Sequence, residues 1–250
     1  MNTRALRRMA LDVDEQHRAG MRELPERLHE LHFGSTARTL DASRRRFLTR
    51  AAAGGAVVAV GGVVLPIAGI VPAALAQDEE SAVPEADAAL AEYAASVEQA
   101  AVAAYGAAAE RRLISEPLLQ VALLFQQHHK DHAAAFEGLL GLDAPVPPNA
   151  SLLDVFAPQI EAATDEAALL KIAFDLEQGA AATYQLAMGV LESADAAAAV
   201  ATIEPVEAQH AVVLGSALEL PIDDPTSPDN WMPPFQTDAA ALSPDEYPAN

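Results

Sequence analysis

Apolar side chains recur every three or four residues along four long stretches of the chain between residues 85 and 220. That spacing is typical of amphipathic helices that bury one face in a core. Pro117 suits the first turn of the second stretch and Gly141 its end, and Asp165 can cap the start of the third. The predicted helices cover about 85–113, 117–140, 164–192 and 195–218. The pattern therefore predicts an all-α, antiparallel four-helix bundle.

The connections differ in length, and this predicts how the helices are joined. Only a few residues separate the first two helices and the last two. The middle connection is a long crossover, with a proline-rich segment at 142–150 and a short helix predicted at 152–160. Pro205 is expected to kink or restart the fourth helix. Residues 221–250 hold seven prolines, and we expect an irregular tail packed on the bundle.

The N-terminal part of the chain has a different pattern. Residues 1–42 are polar and charged, with a loosely amphipathic helical patch from Leu6 to Leu31. We expect them to extend a targeting signal or to lie upstream of the true start, and a cytosolic regulatory segment is the alternative. No chemistry is predicted for them, and no role is given to their histidines, His17, His29 and His32.

A twin-arginine translocation signal is indicated at residues 43–49, where paired arginines precede Phe-Leu and an uncharged apolar region at 51–76. The motif residues are Arg44, Arg45, Phe47 and Leu48. The region ends in a small-x-small sequence at Ala74 and Ala76, typical of signal-peptidase cleavage. An uncleaved membrane anchor is the alternative, because the region is long enough to span a bilayer. If the signal is cleaved, the mature chain consists of the bundle at 77–220 and the tail at 221–250. The twin-arginine export machinery is expected to deliver it to the periplasm, another extracytoplasmic site or the medium.

Charge separates the two parts of the chain. Residues 1–50 hold 11 of the 15 basic residues, whereas the chain from residue 77 onward has four basic residues against 29 acidic ones. The strongly acidic part of the chain from residue 77 onward repels nucleic acid and anionic lipid, which excludes both as partners of the bundle. Cysteine is absent, which excludes disulfides, thiolate nucleophiles and zinc–cysteine sites.

The bundle contains an internal repeat. Glu98-Gln99, with Tyr105 two helical turns further on, reappears as Glu177-Gln178 with Tyr184, at an offset of 79 residues. The tyrosines are predicted either to hydrogen-bond a metal-ligating carboxylate or act as redox phenols, or to be ordinary core residues. The repeat predicts two helical hairpins related by a pseudo-twofold axis.

A second pair of motifs repeats at almost the same offset. His129-x-x-His132 reappears as Glu207-x-x-His210, 78 residues later. Residues three apart share one face of a helix, so both members of each motif can approach one metal ion. His128 is the neighbouring candidate, but the offset favours His129.

These polar residues occupy positions where the apolar face of each helix should continue. On the second helix, for example, Phe125 and Phe136 flank His129 and His132 at helical spacing. Burying three carboxylates and three imidazoles in one core costs much free energy unless they are compensated. A central cation would compensate them. A polar network in which every member is paired is the alternative.

The arrangement resembles the ferritin-like four-helix bundle, in which two helices each supply a Glu and two each supply a Glu-x-x-His to a di-iron or di-manganese centre. The resemblance covers about residues 85–220. It implies the metal ligands Glu98, Glu177, Glu207, His210 and His132. Within this family the chain resembles the secreted ferritin-like proteins with twin-arginine signals, a group related to desiccation-associated proteins.

His129 stands where the family pattern has its other Glu. A carboxylate can bridge two metals, whereas a neutral imidazole offers one lone pair to one metal. A mononuclear site, a pair bridged by water or oxide, or a different metal therefore all remain open, with His129 as the sixth ligand. Iron or manganese is implied by the resemblance, and zinc also accepts this ligand chemistry.

The resemblance implies an exported metal-binding protein that oxidises ferrous iron or reduces oxygen or peroxide, with a role in iron or oxidative-stress handling. The alternative is a non-catalytic stress or desiccation-type envelope protein with a degenerate or structural metal site. A cage-forming iron store fits less well with an export signal and a long proline-rich tail. Catalysis and a homodimeric state are left open by the sequence.

Overall fold

The structure, a computed structural model, describes residues 3–33, 57–60, 63–66, 83–220 and 241–249. The helices in these residues are α1 (Thr3–Phe33), α2 (Glu85–Glu110), α3 (Glu116–Leu139), α4 (Ala150–Ala162), α5 (Glu166–Met188) and α6 (Ala194–Ala217). Two short strands, β1 (Val57–Val60) and β2 (Val63–Pro66), pair antiparallel with Val57 opposite Pro66. None of the helices in the described part combines the length and apolar content that a bilayer crossing requires.

The four long helices of the bundle form two hairpins. Short connections join α2 to α3 and α5 to α6, so each pair runs antiparallel and packs along its length. The two hairpins meet where α3 packs on α6 and α2 on α5, and α4 lies in the long crossover against α2 and α5. The predicted all-α helical bundle is confirmed.

The helix ends follow the predicted capping chemistry. Asp165 accepts a hydrogen bond from the backbone N–H of Ala168 at 2.9 Å and so caps α5. Gly141 follows the end of α3 with a φ of +64°, a conformation that side chains other than glycine rarely adopt. Helix α6 continues through Pro205 from Ala194 to Ala217, so the predicted restart at that residue was wrong, and the predicted kink stays a prediction.

The apolar core is divided into two clusters. One contains Phe125 and Leu152, and the other contains Phe136, Tyr184 and Ile203. Along α3, the histidine motif lies between the phenylalanines of the two clusters. A polar layer therefore crosses the middle of the bundle between two apolar ones.

The N-terminal helix packs on the bundle, which the sequence analysis did not predict. Helix α1 lies against α6 and α3 and buries Leu6, Val13 and Leu24. At Gly20 an added Cβ would meet the Thr202 methyl at 3.0 Å, so glycine permits the close approach of α1 to α6. Buried His17, 2 % exposed, is part of this interface. Helix α1 is thus a fifth helix of the bundle.

The predictions on targeting and most of the tail fall on residues outside the described ranges. These include Arg44, Arg45, Phe47, Leu48, Ala74 and Ala76, and residues 221–240. Within 241–249, Leu242 and Tyr247 pack against the core, and the side-chain amide of Asn149 donates to the Tyr247 carbonyl at 2.9 Å.

Candidate metal centre

The structure brings the six predicted ligand residues together in the polar layer. Helices α2 and α5 each supply one Glu, and α3 and α6 each supply a pair of residues one turn apart. All six side chains are at most 1 % exposed: Glu98, His129, His132, Glu177, Glu207 and His210. The layer is therefore closed to bulk water.

One set of potential ligand atoms lies toward α2 and α3. Glu98, His129, His132 and Glu207 each place one nitrogen or oxygen within 4.8 Å of the others. His129 Nδ1 is 2.7 Å from Glu98 Oε2, and His132 Nδ1 is 2.6 Å from Glu207 Oε1. We call these four residues the first cluster.

A second cluster lies toward α5 and α6, and it consists of His129, Glu177, Glu207 and His210. His129 Nε2 is 3.1 Å from Glu177 Oε1. His210 Nδ1 is 3.2 Å from Glu177 Oε2 and 3.2 Å from Glu207 Oε2. Both clusters combine imidazole nitrogen with carboxylate oxygen, a donor set suited to iron, manganese or zinc.

Two residues belong to both clusters, but they differ in what they can offer. Glu207 faces the first cluster with Oε1 and the second with Oε2. His129 likewise faces them with Nδ1 and Nε2. A carboxylate can give one oxygen to each of two ions, whereas a neutral imidazole has one lone pair. Glu207 can therefore bridge two ions, and His129 can bind only one.

Several buried atoms of the first cluster have no hydrogen-bond partner in the described part of the chain. They are both ring nitrogens of His132 and Oε1 of Glu207. The 2.6 Å approach between these two residues lacks the angles of a hydrogen bond, so it does not satisfy either atom. Buried polar atoms are nearly always satisfied. A cation between them would satisfy both, so the residues fit a metal ion.

A sequence profile for the family described as "Ferritin-like domain" matches residues 86–220, just over half of the chain. The chain belongs to this ferritin-like family. No curated protein and no solved structure matched the chain. The predicted family is thereby confirmed.

In this ferritin-like centre the pKa values of the histidines reflect a balance of burial and charge. Burial would lower the pKa of His132, but the carboxylates of Glu207 and Glu98 raise it to about 9. The pKa of His129 lies well above its usual value, because Glu177 and Glu207 outweigh burial, and that of His210 is raised by Glu177 in the same way. Without metal, the rings of His129 and His132 are therefore cationic at neutral pH, and the ring of His210 holds its second proton more tightly than a free imidazole does.

The carboxylates shift in the opposite direction. Burial would raise the pKa of Glu98, but the charge of His132 and the hydrogen bond with His129 lower it to about 2. His129 and His210 hold the pKa of Glu177 well below its usual range. Imidazolium and carboxylate groups therefore neutralise one another in the metal-free layer, and a metal ion has to displace protons from the histidines.

The two tyrosines of the repeat cross between the hairpins. Tyr105 donates its hydroxyl to Oε1 of Glu177, and Tyr184 donates to Oε1 of Glu98. Burial and then the accepting carboxylate raise the pKa of each phenol well above its usual value, so both remain protonated donors. Each hydroxyl holds the carboxylate of the other hairpin in place beside the histidines.

His128 is also buried, but it lies on the outer side of His210. Its Nδ1 is 2.9 Å from His210 Nε2, whereas His129 faces the carboxylates, as the repeat offset had favoured. The sequence analysis also missed His17, whose ring stacks on His128 at 4.0 Å. The sequence does contain a pattern that places His17 in the core. His17 occupies one position of a helical apolar spacing whose other members are Leu6, Ala10, Val13 and Leu24.

Proposed function

We propose that this ferritin-like chain binds one or two transition-metal ions in the bundle core through Glu98, His129, His132, Glu177, Glu207 and His210. The observation that carries the proposal is the pair of overlapping, fully buried ligand sets that share Glu207. The unsatisfied atoms of His132 and Glu207 support it further, because hydrogen bonds within the layer leave them without a partner. Iron or manganese is the proposed occupant, and zinc fits the same donors.

The proposed reaction is oxidation of ferrous iron coupled to reduction of oxygen or peroxide. The bound ions would supply the redox chemistry. The chain holds the ligands, excludes bulk water and keeps protons on Tyr105 and Tyr184 beside the carboxylates. Two apolar cavities of about 20 Å³ each border the Tyr105 ring, and each has room for about one water-sized molecule.

A second candidate is a non-catalytic envelope protein of the stress or desiccation type. The charge balance favours it, because three histidines with raised pKa values face three carboxylates, so protons can help to neutralise the layer without a metal ion. A layer that protons neutralise can persist as a structural element of the bundle. In this case the core stabilises the fold and does no chemistry.

Export by the twin-arginine pathway remains part of the proposal. That pathway carries folded proteins, which agrees with a buried centre loaded in the cytoplasm before export. The paired arginines at 44 and 45 and the small residues at 74 and 76 support it at the level of sequence.

The deciding experiment is the metal content of the full chain folded in the cytoplasm, compared with Glu207→Ala and His210→Ala. We expect one or two ions per parent chain and strong loss in both variants. Glu204→Ala is the matched control, because Glu204 lies one turn earlier on α6 and outside both clusters. A parent chain free of iron, manganese and zinc would favour the non-catalytic candidate. Metal without oxygen or peroxide consumption in the presence of ferrous iron would indicate a structural ion.

A further inference from the structure

A chain of contacts leads from the candidate centre outward to the N-terminal helix. His210 turns Nδ1 toward Glu177 and Glu207, and its Nε2 is 2.9 Å from His128 Nδ1. On the far side of that ring, His128 Nε2 is 3.2 Å from Oδ1 of Asp14. Asp14 belongs to α1, so a residue more than a hundred positions away in sequence reaches a candidate metal ligand through one imidazole.

The hydrogen-bonding groups of His210, His128 and Asp14 allow one consistent arrangement of the protons between them. A carboxylate only accepts, so the N–H of a neutral His128 lies on Nε2 and donates to Asp14. His128 Nδ1 is then an acceptor, and His210 has to donate from Nε2. When a metal ion displaces the second proton of His210, Nε2 keeps its proton, and Nδ1, the atom that faces Glu177 and Glu207, carries the lone pair for the metal.

The surroundings hold each member of the chain in this geometry. Arg18 Nη2 contacts Asp14 Oδ2 at 2.8 Å, which leaves Oδ1 for His128. His17 stacks on His128 with ring centroids 4.0 Å apart, and Phe125 stacks on His210 at 3.9 Å. Stacking and hydrogen bonds therefore fix the rings of His128 and His210 in place. Helix α1 supplies three of the contacting residues, Asp14, His17 and Arg18.

We propose that Asp14 is a positioning residue of the metal centre, which acts through His128 to fix His210 in the form whose Nδ1 binds metal. The inference rests on the proposed function, since it concerns a ligand of the second cluster. Partners that orient a metal-ligating histidine typically change metal affinity by about 10- to 100-fold when they are lost. Helix α1 is thus part of the centre, and cleavage after Ala76 would remove Asp14 and weaken binding at the second cluster.

The first arm of the test measures Co(II) binding to the full chain by its visible absorption. We expect Asp14→Ala to bind about 10- to 100-fold more weakly than the parent. Asp12→Ala is the matched control, because Asp12 is an exposed acid on the same helix, and it should bind like the parent. Asp14→Asn keeps the shape of the side chain, but its amide can accept or donate, so we expect an intermediate loss. This second variant also decides the matter if Asp14→Ala does not fold.

The second arm reads the ring protons of Zn(II)-loaded protein by ¹⁵N NMR of the imidazoles. In the parent we expect the N–H of both His128 and His210 on Nε2, and in Asp14→Ala we expect the His128 proton to be distributed over both nitrogens. A role of Asp14 in helix packing alone would not move that proton. Parent-like binding and ring protons in both Asp14 variants overturn this inference and leave the proposed function intact. A parent that binds no metal overturns both.

Discussion

The two hairpins of the bundle supply the same chemistry at every position of the centre except one. Hairpin α2–α3 contributes Glu98 and His132, and hairpin α5–α6 contributes the equivalent Glu177 and His210. At the remaining position the first hairpin has His129 and the second has Glu207. Both residues belong to both clusters. The comparison therefore isolates the effect of a central imidazole against a central carboxylate.

The imidazole at the central position of the first hairpin allows this bundle to hold its polar layer without metal. With Glu at both central positions, four carboxylates would face two histidines, and cations would be needed to balance them. With His129 in place of one Glu, three carboxylates face three imidazoles whose pKa values they raise, so bound protons can offset the negative charge. The second hairpin keeps the bridging carboxylate of Glu207. The first hairpin has His129 instead, which becomes positively charged when it binds a proton. We expect an asymmetric centre, tighter for one ion than for two.

Removing the central carboxylate has the largest expected effect. Glu207→Ala removes the carboxylate whose Oε1 meets His132 and whose Oε2 meets His210, and breaking a buried ion pair costs about 3–5 kcal/mol. Urea unfolding of the metal-free chain should show a loss of this size, with metal content falling to background. Glu204→Ala on the same helix should lose much less, and equal losses in the two variants would contradict the account.

Restoring the family pattern with His129→Glu should make the two hairpins alike. The metal-free layer would then hold four carboxylates and two histidines, so its thermal stability should fall. Metal should restore that stability, and the stoichiometry should rise toward two ions per chain, because two bridging carboxylates become available. Metal content and melting temperature with and without Mn(II) measure both effects. An unchanged stoichiometry would show that His129 does not limit the number of ions.

The pH dependence separates the inner histidines from the one on α1. The pKa of His132 is raised from 6.5 to about 9, so its contribution to metal-free stability is full below 6.5 and disappears as pH rises through 9. The pKa of His17 is lowered from 6.5 to about 3 by burial and then by His132, so its contribution is full above 6.5 and disappears toward pH 3.

Metal-free parent should therefore lose stability between pH 6.5 and 9, and His132→Gln should lose less over that window. Metal binding should strengthen over the same window, because fewer protons have to be displaced. Urea unfolding and Mn(II) titration at several pH values test both trends. Parallel pH profiles for parent and His132→Gln would rule out the raised pKa.

The tyrosines should show the smallest effects and the closest match between the hairpins. Tyr105→Phe and Tyr184→Phe each remove one hydroxyl that donates to a buried carboxylate of the other hairpin. A hydrogen bond to a charged group contributes about 1.5–3 kcal/mol, so both variants should lose stability by similar amounts in that range. Urea unfolding of the two variants side by side provides the test. A large difference between them would mean that the crossed contacts are not equivalent.

The bundle and the six ligand positions could be predicted because polar residues interrupt apolar faces. On α3, Phe125 and Phe136 bracket His129 and His132 at helical spacing, which places all four side chains toward the core whatever the rest of the chain does. The repeat at offsets of 79 and 78 then aligned the two hairpins. Local periodicity and internal repetition were sufficient for this part.

The contribution of α1 could not be predicted in the same way. Its position before a targeting signal suggested a segment without chemistry, and the contacts of Asp14 and His17 with His128 depend on how α1 docks on α3 and α6. That Glu207 belongs to both clusters could not be predicted from the sequence either, because it depends on which carboxylate oxygen each histidine faces. Both features arise from tertiary packing between residues distant in sequence.

The most direct test of the central claim is anomalous diffraction from crystals of the full chain loaded anaerobically with Mn(II). We expect an anomalous peak inside the bundle, in contact with Glu207 and with His132 or His210, and its loss in Glu207→Ala. Bound manganese that lies only outside the core, with no peak between the two hairpins, would contradict it.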